Sequence, residues 1–149
     1  MNRLGNSRNL KIDVLINNPT PQIEYRSFLE LTSEEFLSFI SESVALYANP
    51  LRVLLPQLKK GSRVVQVSSI AVVEPFRTLS HYIAAKSAIE GMTKALALEH
   101  KNIVFSVVRP PQMLTDHTNK AFSLKTLPSA IEIARQTILD LKLDEVKRS

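Results

Sequence analysis

Tyr82 and Lys86 stand four residues apart in the segment Tyr82-Ile83-Ala84-Ala85-Lys86. On a helix that spacing puts a phenol and an ammonium on one face, one turn from each other. A nearby ammonium favours the ionised phenol and so lowers a tyrosine pKa from about 10 toward the working range. A tyrosine tuned in that way can give or take a proton at a carbonyl or alcohol oxygen. The same spacing also occurs as a plain surface pair, so the surrounding residues decide. Ser69 ends an apolar stretch thirteen residues before Tyr82. The intervening loop can bring its hydroxyl beside the phenol, and a serine, a tyrosine and a lysine gathered there can hold one substrate oxygen from two sides.

The elements that must position these side chains follow from the hydrophobic pattern. Ile12-Asp13-Val14-Leu15-Ile16 enters the turn-rich Asn17-Asn18-Pro19-Thr20-Pro21, which predicts a short buried strand. Thr32-Ser33-Glu34-Glu35 is a capping box, and the helical pattern after it runs through Phe36, Phe39, Ile40 and Val44. Asn49-Pro50 predicts a kink or a fresh helix start, with Leu51, Leu54, Leu55 and Leu58 carrying an apolar face on to Gly61. Arg63–Ser69 is the second strand, Tyr82–His100 the second helix and Ile103–Val108 the third strand. Pro128-Ser129 opens a last helix carrying Ile131, Ala134, Ile138 and Leu141.

Strands alternating with helices predict a short parallel sheet covered by helices, an α/β fold with right-handed connections. Ligands in this architecture bind beyond the carboxyl ends of the strands. Those ends are Asn17-Asn18, Ser68-Ser69 and Pro110-Pro111. The chain reads as one domain over residues 12–142, with an amino-terminal segment 1–11 and a polar tail 143–149.

Composition narrows the function. At 149 residues, 44% hydrophobic and 22% charged, the chain suits one folded domain with a sizeable core. Zero cysteine excludes a disulfide framework, a thiolate zinc site and a cysteine nucleophile. His100 and His117 have no partner at ligand spacing, so no metal site is expected. No stretch approaches the roughly 18–20 apolar residues of a membrane span, and a cytoplasmic location is expected. The net charge of +5 and the pI near 9.6 invite a nucleic-acid partner. However, Lys59, Lys60 and Arg63 fall where the first helix is expected to end, and there cations complement the helix dipole. No aromatic residues interleave with the basic ones, so nucleic acid is not expected. His81 lies about 100° round the helix from Tyr82 and is expected to be a surface or loop contact. Asp13 is expected at a turn or facing solvent, and Arg109 is given no role.

Taken in order, Asp13-Val14-Leu15-Ile16-Asn17-Asn18, Val65-Gln66-Val67-Ser68-Ser69, Tyr82-x-x-x-Lys86 with Ser87–Thr93, and Val108-Arg109-Pro110-Pro111-Gln112-Met113-Leu114-Thr115 resemble the short-chain dehydrogenase/reductase family over about residues 11 to 120. The resemblance implies a Rossmann-like α/β/α domain that binds NAD or NADP. Hydride would pass between that cofactor and a small-molecule carbonyl or secondary alcohol. Ser69 would orient the substrate oxygen and Tyr82 would be the acid/base. Lys86 would lower the Tyr82 pKa and hold the nicotinamide ribose, while Asn18 and Pro110 would lie against the cofactor and Thr115 would touch the carboxamide. The small residues Ala84, Ala88, Gly91 and Ala95 suit the close helix packing of the family's dimer.

The chain departs from the family pattern at four places. Its three glycines, at 5, 61 and 91, form no glycine-rich phosphate loop. Pro19-Thr20 stands where the family has Ala-Gly, Ser43 falls at the family's helix asparagine, and Pro110-Pro111 replaces Pro-Gly. The expectation drawn from these is a carboxyl-terminal catalytic half without the cofactor-binding half, incomplete for cofactor binding as this chain alone. Its Ile12–Ile16 strand edge would then be covered by a second copy or a neighbouring domain. The alternative is a non-catalytic module that keeps the fold for dimerisation or docking.

Overall fold

A computed structural model describes residues 11–113 and 128–142. Six main elements alternate: β1 (Ile12–Asn17), α1 (Ser33–Leu54), β2 (Leu58–Val67), α2 (Ser80–Glu99), β3 (Val104–Val108) and α3 (Ala130–Asp140). The three strands form one parallel sheet in the order β1-β2-β3. Along β2 the side chains alternate between faces. Val64, Gln66 and Ser68 turn toward α1 and α2, where Ser68 bonds Glu90 and the core closes around Tyr47, Leu51, Ala85 and Ile89. Val65 and Val67 turn the other way and share a cavity with Ile133, Ala134, Thr137 and Ile138 of α3. The result is the expected three-layer α/β/α arrangement.

Local chemistry sets several boundaries where the sequence placed them. Thr32 Oγ1 accepts from the Glu35 amide at 3.1 Å while the Glu35 carboxylate accepts from the Thr32 amide at 2.7 Å. That reciprocal pair satisfies two of the orphan donors at the start of α1. Ser129 and Glu132 do the same for α3.

Two boundaries differ. First, α1 runs through Pro50 without a break. Tyr47 and Leu51, exposed by 1% and 3%, anchor the helix on both sides of the proline. Burying two such side chains, worth about 1.5–3 kcal/mol each, offsets a proline penalty of about 3 kcal/mol. Second, α1 stops at Leu54, well before Gly61, and β2 begins at Leu58. Lys59 and Lys60 therefore lie on a strand and not at a helix end. Lys59 Nζ reaches Asp13 on β1 at 2.9 Å, so Asp13 is an ion-pair partner. The strand can start this early because its pairing with β1 slips between Ile12↔Leu58 and Val14↔Arg63. Gly61, at φ +86°, takes up that irregularity in a conformation glycine adopts without strain.

The small-residue stripe on α2 does not face the sheet. Ala88, Gly91 and Ala95 are exposed, whereas His81, Ala85, Ile89 and Thr93 point inward. His81 is buried and packs edge-on against Phe39 with centroids 4.6 Å apart, so it is a core residue and not the expected surface contact. Burial lowers its pKa below the usual histidine value, which keeps the ring neutral near pH 7.

Candidate active site

The carboxyl ends of the strands open onto a cavity of about 1030 Å³. Ser69, Tyr82, Lys86, Asn18 and Pro110 all line it, so five of the six sequence-predicted site residues are brought to one place. The sixth, Thr115, lies outside the described residues. The strand sequence delivers Ser69 because β2 ends at Val67 and a short 3-10 turn (Ile70–Val72) follows. Ser69 Oγ caps that turn by accepting from the Ala71 amide at 3.2 Å. Helix α2 then starts at Ser80 and carries Tyr82 and Lys86 on its first turns.

Tyr82 is half-buried, and burial raises its phenol above the usual tyrosine value, with hydrogen bonding from Ser69 pulling the other way. The expectation that Lys86 lowers the Tyr82 pKa is therefore corrected. The Lys86 ammonium sits 5.7 Å from the Tyr82 ring centroid and its hydrogen bonds go elsewhere. Nζ donates to the Tyr47 phenol oxygen at 2.8 Å and to the Val67 carbonyl at 3.0 Å. Lys86 is 4% exposed, and desolvation lowers its pKa to about 8.

Tyr47 is the site residue that the sequence did not disclose. Its hydroxyl donates to the Val67 carbonyl at 2.5 Å and accepts from Lys86, while its backbone carbonyl accepts from Asn17 Nδ2 at 3.0 Å. Burial pushes its phenol well above the usual value. Ser43, one turn earlier on α1, is buried with a hydroxyl that has no hydrogen-bond partner among the described residues. The available signal was a tyrosine on the apolar face of α1 one turn after Ser43. Its partner lies 39 residues further on, beyond the reach of local spacing.

Arg109 also gains a role. Its guanidinium grips the buried Glu90 carboxylate at 2.8 and 2.6 Å, and Ser68 Oγ donates to the same carboxylate at 2.7 Å. Burial opposes the Glu90 charge, but the Arg109 and Ser68 hydrogen bonds outweigh it and hold the carboxyl below its usual pKa. This network ties α2 to the ends of β2 and β3 directly behind the cavity. Among the described residues, no cluster of histidine, cysteine, aspartate or glutamate could hold a metal ion.

The residues fit the nicotinamide-ribose end of the cofactor that the resemblance implies. An ammonium has three N–H groups, and Lys86 spends two on Tyr47 and Val67, leaving one for a ribose hydroxyl. Asn18 and Pro110 border the same cavity from the ends of β1 and β3.

Comparison with known proteins agrees with this geometry. The short chain dehydrogenase family model matches residues 6–125, and the chain belongs to that family. It is 29% identical over 116 residues to the uncharacterized oxidoreductase YhxC of Bacillus subtilis (strain 168), covering 76% of this chain and 41% of that protein. Among solved structures it resembles a glucose/ribitol dehydrogenase of the short-chain family from Brucella melitensis, with a TM-score of 0.76 and 25% identity. That match covers 85% of this chain and 56% of the other. A 4-hydroxyisoleucine dehydrogenase mutant, solved with NADH and succinate, matches with a TM-score of 0.72 and 22% identity, over 85% of this chain and 60% of that one. The chain thus spans less than two thirds of the length of these relatives.

The family match corrects the expectation of a carboxyl-terminal half without a cofactor-binding region. The match begins at residue 6, ahead of β1, and continues through the Asn17-Asn18 loop that borders the cavity. The order β1-α1-β2-α2-β3-α3 is a Rossmann-like unit in itself. Scarcity of glycine in the sequence does not mark a missing half. Glycine content reflects how closely a backbone approaches a phosphate, and it does not measure which part of a fold is present.

No helix among the described residues is long and apolar enough to cross a membrane.

Proposed function

We propose that this chain is an oxidoreductase domain that transfers a hydride between NAD or NADP and a carbonyl or secondary alcohol. The observation that carries the reading is the convergence of Ser69, Tyr82 and Lys86, with an unspent ammonium donor, on one cavity at the carboxyl ends of a parallel sheet. The nicotinamide cofactor, when bound, supplies the hydride chemistry. The protein's own part is proton handling and orientation. A phenol raised by burial stays protonated at neutral pH, so Tyr82 can donate to a carbonyl oxygen. Ser69 steadies that oxygen from the second side. Lys86 offers its third N–H to the ribose, with Asn18 and Pro110 as cofactor walls and Thr115, by resemblance, at the carboxamide. NADH in the 4-hydroxyisoleucine dehydrogenase structure supports a nicotinamide cofactor.

The cavity walls are largely apolar, with Ile16, Val65, Val67 and Val108 on the sheet side, which suits a small carbonyl or alcohol with an apolar body. Residues 12–142 act as the domain, with 1–11 and 143–149 as flanking segments. The outer edge of β1 has no strand partner among the described residues, and Ile16 on it is 52% exposed. A homo-oligomer or a neighbouring domain covers that edge in this reading. A cytoplasmic setting agrees with the absence of cysteine from the sequence.

Calorimetric titration of the purified chain with NADH and NADPH at low salt tests the proposal. Micromolar binding is expected, followed by turnover in a carbonyl screen. No binding at millimolar cofactor overturns it.

A further inference from the structure

Tyr47 is exposed by 1%, yet its phenol makes two hydrogen bonds to the elements that build the cavity. It donates to the Val67 carbonyl of β2 and accepts from Lys86 of α2 at 2.8 Å, while Lys86 also donates to that same carbonyl at 3.0 Å. The three groups close a triangle in which every hydrogen bond has a proper donor and acceptor. The ring contributes as well, since the Lys86 ammonium lies 4.8 Å from the Tyr47 ring centroid, within cation–π range. A buried ammonium needs such partners, because desolvation strongly disfavours its charge.

We infer that Tyr47 is a positioning residue: its phenol fixes the Lys86 ammonium in the cavity wall as a charged donor, with one N–H left for a ligand oxygen. The inference deepens the oxidoreductase reading and rests on it for the identity of that ligand oxygen. Tyr47 is not among the residues that line the cavity and acts through Lys86, which is. Ser43, where the resemblance places the family's helix asparagine, has no hydrogen-bond partner among the described residues, and the polar contact from α1 to Lys86 comes one turn later. The chain carries three tyrosines and no tryptophan. Among the described residues the titratable groups facing Lys86 are Tyr82 on its own helix and Tyr47 from α1, with Tyr25 facing Tyr82 from the loop after β1.

The test is a titration of Lys86 in the full chain by NMR of 13Cε-labelled lysine, with no cofactor or substrate present. Lys86→Met assigns the resonance. In wild type the Lys86 signal should titrate near pH 8. Tyr47→Phe keeps the ring and removes the hydroxyl, so the Lys86 midpoint should fall by about one pH unit, the size of one lost hydrogen bond to a charged group. A folded Tyr47→Phe chain with an unmoved Lys86 midpoint overturns the inference. Should that variant fail to fold, wild type labelled with 13Cζ-tyrosine gives three signals, and Tyr25→Phe and Tyr82→Phe identify the third as Tyr47. An inflection of the Tyr47 signal at the Lys86 midpoint supports the link, and a flat signal there overturns it. Because both readouts are ligand-free, loss of cofactor binding would strike the oxidoreductase reading alone. Turnover with an unmoved Lys86 would strike the Tyr47 inference alone.

Discussion

The Asn17 carboxamide donates to the Tyr47 backbone carbonyl at 3.0 Å, joining the carboxyl end of β1 to the middle of α1. Both residues are buried, and the phenol of Tyr47 holds Lys86, so this bond helps to set the height of the lysine's support. Asn17→Ala should cost about 1–2 kcal/mol by leaving that carbonyl without its side-chain donor. Asn17→Asp should cost more, because a carboxylate would face a carbonyl oxygen with no proton between them. Urea denaturation of the two variants checks the order. A smaller loss in Asn17→Asp than in Asn17→Ala would mean that the carboxamide acts by shape and not by its donor.

Tyr82→Phe should reduce carbonyl turnover by about 10²- to 10⁴-fold, the usual contribution of a positioned acid. Its thermal midpoint should move little, since the hydrogen bond that Tyr82 shares is with Ser69 in the loop after β2 and not with the body of a strand or helix. Ser69→Ala should lower turnover less, and should raise the Tyr82 pKa further by removing the one hydrogen bond that opposes burial. Absorbance titration of tyrosinate in Ser69→Ala measures that direction, and a fall in the Tyr82 midpoint would remove Ser69 from the site.

Elements announced by local chemistry were legible in the sequence, and features made by distant pairing were not. The Thr32–Glu35 box and the Pro128-Ser129 pair each lie within a few residues of a helix start, so α1 and α3 begin where the sequence places them. Ser69, Tyr82 and Lys86 follow from strand end and helix spacing, and the family resemblance gave them roles. Lys59-Lys60-Gly61 read as a helix terminus, yet pairing with β1 and the Asp13 carboxylate, 46 residues away, draws this stretch into β2. Pro50 read as a break because the burial of Tyr47 and Leu51 on either side of it is tertiary information. Tyr47 itself is invisible as a site residue until α1 and α2 are packed together over β2.

Lys86 should leave a signature in the pH dependence of stability. Its folded pKa of about 8 lies below the unfolded value of about 10.4. Between these values the unfolded chain holds a proton that the folded chain has released, so stability rises with pH. From pH 8 to about 9.5 the rise should be roughly 1.5 kcal/mol. Above about pH 10 the trend reverses, because exposed phenols ionise before the buried Tyr47 and Tyr82, whose pKa values burial raises. Urea melts across this range in wild type and Lys86→Met provide the check. The variant should lack the rise, and an identical rise in both would assign it to another group.

Glu90 should produce the opposite dependence on the acid side. Its folded pKa lies below the usual carboxylate value, because the Arg109 and Ser68 hydrogen bonds outweigh burial. The stabilisation is complete above the unfolded pKa of about 4.3 and is lost as pH falls through the lower folded value. Glu90→Gln removes the charge that Arg109 grips and one acceptor of the Ser68–Arg109 pair, at a cost of about 1–2 kcal/mol near pH 7. Below the folded value, where the wild-type carboxyl is also neutral, that difference should vanish. The carboxylate stands between α2 and the ends of β2 and β3, so its loss should also loosen the sheet ends that carry Ser69 and Pro110. Amide hydrogen exchange at Ser68 and Ile70, whose N–H groups bond the Val108 and Pro110 carbonyls, reads that loosening directly. Faster exchange at both amides at pH 7, with exchange in the middle of β2 unchanged, is the expected pattern. A uniform acceleration along β2 would show that Glu90 supports the whole sheet and not the cavity end of it.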